Sequence, residues 1–137
     1  MGSTRVGVDL ARASDVRESI AAFGDRYLRR VYTEHELAAC TGAGQVAERG
    51  LAARFAAKEA LLKALHVADA AIDWRDVEVR RTAGGWPELA LHGGARRLAE
   101  DVGLLDASVS MTHDDDVAMA VVVAVCDPGV RRPDEPR

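Results

Sequence analysis

Aromatic residues are scarce in this sequence, at 4% of its 137 residues, so the core has to be built mainly from alanine, valine and leucine. Cysteine is scarce as well. The pair Cys40 and Cys126 has no metal-ligand spacing and excludes a disulfide framework, so we interpret both as packing residues. A formal net charge of −4 argues against a broad surface for nucleic acid, but it is compatible with a local basic pocket for an anion.

Long hydrophobic runs are also missing. The longest, residues 117–126, is too short to span a bilayer, and the N-terminus has no charged start followed by an apolar segment. We therefore expect a cytoplasmic protein without a membrane partner. The 48% apolar and 29% charged residues that are present are typical of one globular domain. We expect that domain to cover residues 1–126, with residues 127–137 (DPGVRRPDEPR) as a disordered tail.

Hydrophobic periodicity predicts the secondary structure. Alternating or β-branched segments predict strands at residues 5–10, 73–82, 88–92, 107–111 and 117–125. Helix-forming segments predict helices at residues 12–23, 25–31, 46–66 and 95–102, and a Thr33–Glu36 capping box predicts a short helix between the second and third of these. Turns are expected at residues 41–45, 84–87 and 112–116.

The order of these elements indicates the fold class. The later strands follow one another too closely in the chain for parallel crossover connections. We therefore predict an α+β fold in which the long helix 46–66 packs on a mostly antiparallel sheet.

Two acidic residues stand out in this arrangement. Glu59 is four residues before Lys63 on the long helix and lies at the edge of its apolar stripe, where its carboxylate needs a lysine or a metal as partner. The simpler interpretation is an exposed Glu–Lys pair. Asp9 lies in an apolar strand, where aspartate is disfavoured unless it coordinates or pairs. The simpler interpretation of Asp9 is a cap for the next helix.

A third segment combines small polar residues with a histidine. Residues 108–113 (SVSMTH) form the end of an apolar strand, and such an end can present hydrogen-bond donors to an anion. An ordinary hairpin tip is the alternative. The following Asp114, Asp115 and Asp116 lack calcium-loop spacing, so we interpret them as solvated turn residues.

Four motifs in this order resemble the holo-acyl-carrier-protein synthase family, the small trimeric 4′-phosphopantetheinyl transferases. They are Gly7-Val8-Asp9-Leu10, then RFAAKEALLKA at residues 54–64, then Gly85-Trp86-Pro87, and last VSMTH at residues 109–113. The helical motif is the most specific, and the resemblance covers residues 5–126. It implies a magnesium-dependent enzyme of fatty acid biosynthesis. Such an enzyme transfers the phosphopantetheine arm of coenzyme A to a serine of an apo carrier protein.

The resemblance also implies roles for single residues. Asp9 and Glu59 match the family's magnesium ligands, and Lys63 matches a lysine that offsets charge on the transferring phosphate. Arg54 and His113 match phosphate-side positions, and Pro87 is expected near the adenine. For the general base the resemblance favours a metal-held water assisted by Glu59 over Asp114. Homotrimers with active sites between subunits are expected.

Several positions depart from the family pattern. Arg12 and Asp15 reverse the usual charges of the carrier-facing helix, and residues 45–47 (QVA) lack the usual basic residues for the 3′-phosphate. His66 replaces a common glycine, and Trp86 replaces a common basic residue, where it could stack on adenine or pack on its neighbours. These changes bear on the affinity for coenzyme A. They also bear on whether the carrier protein belongs to primary metabolism or to polyketide synthesis.

Two other functions are compatible with the sequence. One is a non-catalytic module that binds coenzyme A or a carrier protein; the catalytic set Asp9, Glu59, Lys63 and His113 argues against it. The other is a metal-dependent phosphohydrolase, which would use water in place of a serine and would cleave the diphosphate without any carrier.

Overall fold

A computed structural model describes residues 2–67 and 71–129. In chain order its elements are β1 (Ser3–Arg12), α1 (Ala13–Phe23), α2 (Asp25–Val31), α3 (Glu34–Ala39), β2 (Thr41–Gly42), β3 (Gln45–Val46), α4 (Glu48–Ala64), a 3-10 turn (Trp74–Asp76), β4 (Val77–Arg81), β5 (Pro87–Leu91), α5 (Gly93–Asp101), β6 (Leu104–Asp114) and β7 (Val117–Cys126). Most of the tail expected at residues 127–137 lies outside the described residues. Within the described ranges, no helix has both the length and the apolarity to cross a membrane.

The central sheet is antiparallel, with strand order β1-β7-β6. Helix α4 packs across one face of this sheet, and the main core lies between them, built from residues such as Ala60, Leu61, Ala120 and Val122. The hairpins β2-β3 and β4-β5 form two further small sheets. The predicted α+β class, with its long helix on an antiparallel sheet, is confirmed.

The opposite face of the sheet carries apolar side chains that nothing in the described chain covers. Successive residues of a strand point to opposite faces, so every second residue of β1 points away from α4. Three of these, Val6, Val8 and Leu10, are 59%, 48% and 63% exposed, and Val123 of the paired β7 is 38% exposed. The four residues form one apolar surface, here called the open face.

Helix α4 and strand β1 approach each other most closely at Gly7. A Cβ atom at this position would overlap the carbonyl oxygen of Ala60 and lie 2.6 Å from the backbone nitrogen of Ala64. Only glycine fits here, because both obstacles belong to the helix backbone and cannot rotate away. This contact brings Asp9 of β1 against the turn of α4 that carries Glu59 and Lys63.

A buried ion pair ties three elements together. The capping box of α3 forms as expected, because Thr33 accepts from the Glu36 amide and the Glu36 side chain accepts from the Thr33 amide. Glu36 is also fully buried and accepts from Lys58 Nζ at 2.8 Å and from the Val79 amide at 3.0 Å. Lys58 Nζ donates in addition to the carbonyls of Trp74 and Val77. The pair thus joins α3, α4 and β4.

Some element boundaries differ from the sequence prediction. Helix α4 starts at Glu48 rather than at residue 46, because Gln45–Val46 pairs with Thr41–Gly42 in a small hairpin. The strand expected at residues 73–82 starts only at Val77, because Asp73 caps a 3-10 turn that holds Trp74. Strand β6 runs to Asp114, which leaves only Asp115 and Asp116 as the turn.

Asp116 corrects one expectation and bears on an alternative that was left open for Asp9. Its carboxylate accepts from the Ser14 amide at 2.9 Å and from the Ser14 hydroxyl at 2.6 Å. Asp116 is therefore a half-buried partner of helix α1 rather than a solvated turn residue. It also serves the first turn of α1 in the way that had been considered for Asp9. Asp9 is free of that role and faces α4.

Candidate active site

Asp9 and Lys63 form the first part of the site. The Asp9 side chain is 13% exposed, and its Oδ1 atom accepts from Lys63 Nζ at 2.8 Å. Lys63 Nζ also lies 3.2 Å from the carbonyl oxygen of Val8. The hydrogen bond to Asp9 raises the pKa of Lys63 above its usual range. The lysine therefore bonds to the strand, and the exposed Glu59–Lys63 pair considered from the sequence does not form.

Glu59 lies one helical turn before Lys63 and is half-buried. Burial, a hydrogen bond with Asp9 and the negative charge of Asp9 together raise the pKa of Glu59 to about 7, against a smaller opposing effect of Lys63. The two carboxyl groups are thus adjacent, and Lys63 bonds to one of them, Asp9. Asp9, Glu59 and Lys63 are called the carboxylate cluster below.

The carboxylate cluster has the donor set of a hard divalent cation. Two carboxyl groups in contact repel each other when both are ionised, and a shared cation removes that repulsion. Within the described ranges no group of three or more His, Cys, Asp or Glu side chains could hold a metal ion. A cation bound by Asp9 and Glu59 therefore takes its remaining ligands from water or substrate, which fits magnesium.

The second part of the site is a cavity of about 500 Å³ on the other side of α4. Its wall combines the start of α4, the turn end of the β4-β5 hairpin and the end of β6. The lining residues include Ala47, Arg49, Arg54, Arg81, Pro87 and His113. Its three arginines make this cavity cationic, and it is called the arginine pocket below.

Arg54 is the most deeply placed cation of the arginine pocket. It is only 4% exposed, and one terminal nitrogen donates to the Gly50 carbonyl at 3.1 Å. Its Nε atom is buried and has no hydrogen-bond partner among the described residues. A buried N–H without a partner costs free energy, so this guanidinium is prepared for an acceptor that enters the pocket.

Helix α4 separates the two parts. Glu59 and Arg54 are five residues apart, which places them roughly 140° from each other around the helix. Of the residues singled out from the sequence, Asp9, Glu59 and Lys63 are brought together, and so are Arg54, Pro87 and His113. Within one chain the two sets lie on different sides of α4.

Asp114 belongs to neither set. It is the last residue of β6, exposed, and follows His113 directly. Neighbouring strand residues point to opposite faces, so Asp114 is directed away from His113.

The positions that departed from the family pattern have distinct environments. Ala47 lines the arginine pocket without contributing charge. Trp86 is 75% exposed at the hairpin tip, which contradicts the interpretation that it packs on its neighbours. His66 has a φ of 59°, a left-handed conformation that glycine adopts most easily. This explains why glycine is suited to that position at the end of α4.

One residue that supports the site and one that lines it were missed from the sequence. Lys58 was not singled out, although it anchors the helix that carries Glu59. Arg81 was not singled out either, although it lies directly opposite Pro87 in the β4-β5 register. That register was the available signal, because a hairpin that places Pro87 at the pocket also places its cross-strand partner there.

A further cavity, of about 560 Å³, lies between α2, α3 and the 3-10 turn. Its lining mixes both charge signs, and Arg75 and Asp73 are already paired at 3.1 Å. It contains none of the residues predicted to act in the site.

Comparison with known proteins shows the family to which the chain belongs. Residues 5–122 match the model of the 4′-phosphopantetheinyl transferase superfamily. The chain is 46% identical to a holo-[acyl-carrier-protein] synthase of Myxococcus xanthus, over 90% of this chain and 95% of the relative. It is 39% identical to the holo-[acyl-carrier-protein] synthase of Koribacter versatilis, over 85% of this chain and 94% of the relative. The fold is similar to the ACPS–CoA complex of Chronobacterium ammoniagenes, with 27% identity, a TM-score of 0.78 and coverage of 91% of this chain and 98% of that one.

Proposed function

The chain belongs to the 4′-phosphopantetheinyl transferase superfamily, and on this premise we propose that it is a holo-[acyl-carrier-protein] synthase. It transfers the 4′-phosphopantetheine arm of coenzyme A to a serine hydroxyl of an apo acyl carrier protein and releases 3′,5′-ADP. The observation that carries this function is the pairing of a carboxylate cluster with a cationic pocket on the other side of α4. Coenzyme A carries a diphosphate and a separate 3′-phosphate. A donor of this kind needs both the carboxylate cluster and the arginine pocket.

The reaction is a displacement at phosphorus. The serine oxygen forms a bond to the β-phosphorus of coenzyme A, the bond from that phosphorus to the bridging oxygen breaks, and 3′,5′-ADP leaves with the electron pair. We assign Glu59 to accept the serine proton, directly or through a water molecule, because its carboxyl group is next to Lys63 and Asp9. Asp114, the other candidate base, points to the face of the sheet opposite α4 and therefore away from Glu59.

Lys63 has the position of a charge-stabilising group. Its side chain is 50% exposed, so the ammonium group is held by Asp9 and still reaches solvent and substrate. A compact cation at this point offsets the negative charge that develops on the transferring phosphate. Arg54 and His113, with Pro87, are assigned to bind the nucleotide end of coenzyme A in the arginine pocket.

We further propose that Asp9 and Glu59 hold a magnesium ion. When bound, that ion supplies positive charge to the diphosphate of the donor. Asp9 and Glu59 fit it because they are adjacent, only partly exposed to solvent and without a third acidic or histidine neighbour in the described ranges.

A homotrimer with active sites between subunits is supported by two features. The open face exposes Val6, Val8 and Leu10 on one strand, which is a surface suited to burial against another copy. In addition, α4 separates the carboxylate cluster from the arginine pocket, so a second copy can bring its pocket to the cluster of the first.

The cytoplasmic location remains a prediction. Cys40 and Cys126 are free and buried thiols, as in proteins of reducing compartments. The acyl carrier protein of fatty acid biosynthesis is the expected acceptor, and carrier domains of polyketide synthesis are the second acceptor class to test. Two observations disfavour the non-catalytic binding module. The chain keeps Asp9, Glu59, Lys63 and His113, and its relatives are holo-[acyl-carrier-protein] synthases.

Intact-protein mass spectrometry tests this function. Apo carrier proteins incubated with the protein, coenzyme A and magnesium should gain the mass of one phosphopantetheine. The gain should disappear with a chelator or with Glu59→Gln, and persist with Glu100→Gln, an exposed glutamate of α5. Coenzyme A binding without any carrier modification would refute the transferase and favour the binding module. Diphosphate cleavage without a carrier would favour the phosphohydrolase.

A further inference from the structure

Asp9 already has a cationic partner, and that partner is one helical turn from Glu59. Lys63 Nζ donates to Asp9 Oδ1 at 2.8 Å and to the Val8 carbonyl at 3.2 Å. The Asp9 side chain is only 13% exposed, so the ammonium group is bound to a carboxylate that water reaches poorly. Lys63 therefore supplies the positive charge that a partly buried carboxylate needs.

A comparison of the two lysines shows that this partner can leave. Lys58 and Lys63 are the two lysines of the sequence. Lys58 is fully buried, and its ammonium group is held by Glu36 and by two backbone carbonyls. The Lys63 side chain is half-exposed, and its flexible four-carbon stem can rotate into solvent without any movement of the backbone. Helix α4 thus carries one fixed lysine and one lysine that can be released.

A divalent cation held by Asp9 and Glu59 would share the Asp9 carboxylate with this ammonium group. Two cations at one partly buried carboxylate repel each other, because little water is present to screen them. Two ionised carboxylates balance one divalent cation. The ammonium group is then surplus charge, and its half-exposed side chain allows it to move away.

The donor offers the ammonium group a new partner. The proposed function places the diphosphate of coenzyme A at the carboxylate cluster, and a lysine ammonium is a compact charge suited to a phosphate oxygen. Lys63 can therefore exchange Asp9 for a phosphate without losing an anionic partner. Release of Lys63 from Asp9 costs less free energy in the presence of the donor than when only water replaces the carboxylate.

We propose that Lys63 competes with a divalent cation for Asp9, and that the donor relieves this competition by binding the ammonium group. Lys63 thereby makes the binding of the cation and of coenzyme A cooperative. This inference rests on the proposed function. It gives Lys63 a role in the assembly of the site, in addition to charge stabilisation during the transfer.

Selective isotope labelling of the lysine side-chain nitrogen tests the competition on the wild-type protein. Because the chain has two lysines, proton–nitrogen correlation spectra contain two side-chain ammonium signals, and the Lys63 signal is assigned by its loss in Lys63→Arg. Magnesium should move the Lys63 signal toward that of a solvent-exposed lysine. The signal of the buried Lys58 should stay unchanged and is the internal control. An unchanged Lys63 signal at a saturating magnesium concentration would overturn the competition.

Manganese binding measures the strength of the competition. Manganese takes the same oxygen ligands as magnesium, and electron paramagnetic resonance reports the concentration of the free ion. Without donor, Lys63→Met should bind manganese about 10- to 100-fold more tightly than wild type, because no bond between charged groups has to be broken first. Lys63→Arg keeps a cation beside Asp9 and should show no gain of this size. Equal affinities of Lys63→Met and wild type would overturn the proposal.

Arg12→Met is the matched control for a simple change of charge. Arg12 is exposed on the same strand as Asp9 and points to the opposite face of the sheet. Its substitution removes one positive charge, as Lys63→Met does, but manganese affinity should stay within about twofold of wild type because this charge is exposed and screened. The same gain in both variants would show a general charge effect and overturn the specific role of Lys63. Thermal unfolding shows whether each variant is folded.

Calorimetry of coenzyme A tests the cooperativity. Magnesium should tighten the binding of coenzyme A to wild type, and by linkage coenzyme A tightens the binding of magnesium by the same factor. In Lys63→Met this factor should fall about 10-fold or more, because the lysine shared between Asp9 and the donor is gone. A factor equal to that of wild type would overturn the coupling.

The outcomes separate this inference from the proposed function. The spectra and the manganese titrations contain neither donor nor carrier, so they judge the competition whether or not a carrier protein is modified. Failure of both wild type and Lys63→Met to bind manganese would overturn the inference. The transferase is decided separately, by the mass gain of the carrier protein.

Discussion

The buried pair of Glu36 and Lys58 should dominate the stability of this protein. Both side chains are fully buried, and no solvent can screen either charge. Lys58→Met keeps a long apolar side chain but leaves the Glu36 carboxylate with only the Thr33 and Val79 amides as donors. Breaking a buried pair from one side costs about 3–5 kcal/mol. That is a large fraction of the ~5–15 kcal/mol by which a domain of this kind is stable.

A double-mutant cycle tests the origin of that loss. Glu36→Gln removes the negative charge and leaves the Lys58 ammonium with the Trp74 and Val77 carbonyls. In the double variant neither charge remains, so it should be less destabilised than the sum of the single variants by about 2 kcal/mol or more. Burial lowers the pKa of Lys58, and the charge and hydrogen bond of Glu36 offset only part of that shift.

Urea unfolding followed by far-ultraviolet circular dichroism measures these free energies. All variants are compared at one protein concentration, because self-association adds to apparent stability. Glu100→Gln is the control, because it breaks the exposed Arg96–Glu100 pair of α5 and should cost less than about 0.5 kcal/mol. A cost below about 1 kcal/mol for Lys58→Met, with a coupling energy near zero, would refute the reasoning.

Three further predictions follow from the fold. Gly7→Ala should lower the free energy of unfolding by more than about 2 kcal/mol in the same assay, because the added methyl meets the backbone of α4, whereas Gly42→Ala, which meets only open space, should be close to neutral. Burial raises the pKa of Glu78, but hydrogen bonds from Thr33, Arg80 and His92 outweigh it and bring the pKa to about 2. The stability from Glu78 is therefore complete above its unfolded-state pKa near 4.5 and is lost as the pH falls towards 2, so acid titration of Glu78→Gln should show a weaker decline than wild type. Leu10→Asp on the open face should convert a self-associated protein to folded monomers in analytical ultracentrifugation, while Phe23→Asp, 62% exposed away from the sheet, should not. A wild-type protein that is already monomeric would contradict self-association through the open face.

Local patterns in the sequence were reliable guides to the elements. The capping box at Thr33 formed because its two partners are three residues apart and need only one helical turn. The long helix formed because its composition favours helix at nearly every position. Boundaries failed where a distant or irregular partner intervened, as when Gln45–Val46 joined a small hairpin and Asp73 capped a 3-10 turn.

The candidate site was predictable in its residues but not in its arrangement. The motifs pointed to Asp9, Glu59, Lys63, Arg54, Pro87 and His113. The sequence offered Glu59, four residues away, as the partner of Lys63, yet the lysine binds Asp9, which is 54 residues away. A helix places two side chains on one face, but the strand packed against it decides which contact forms.

The sequence by itself determined which segments are helix or strand and which residue types carry the chemistry, because both depend on neighbours within a turn or two of the chain. Only the tertiary structure decided that Glu36 is buried with Lys58, that Asp116 serves helix α1 and that Arg81 lines the pocket. Each of these depends on elements that are distant in the chain and meet only when the core between α4 and the sheet has closed. These contacts depend on desolvation of buried groups and on the pairing register of the strands, and neither can be read from a local sequence pattern.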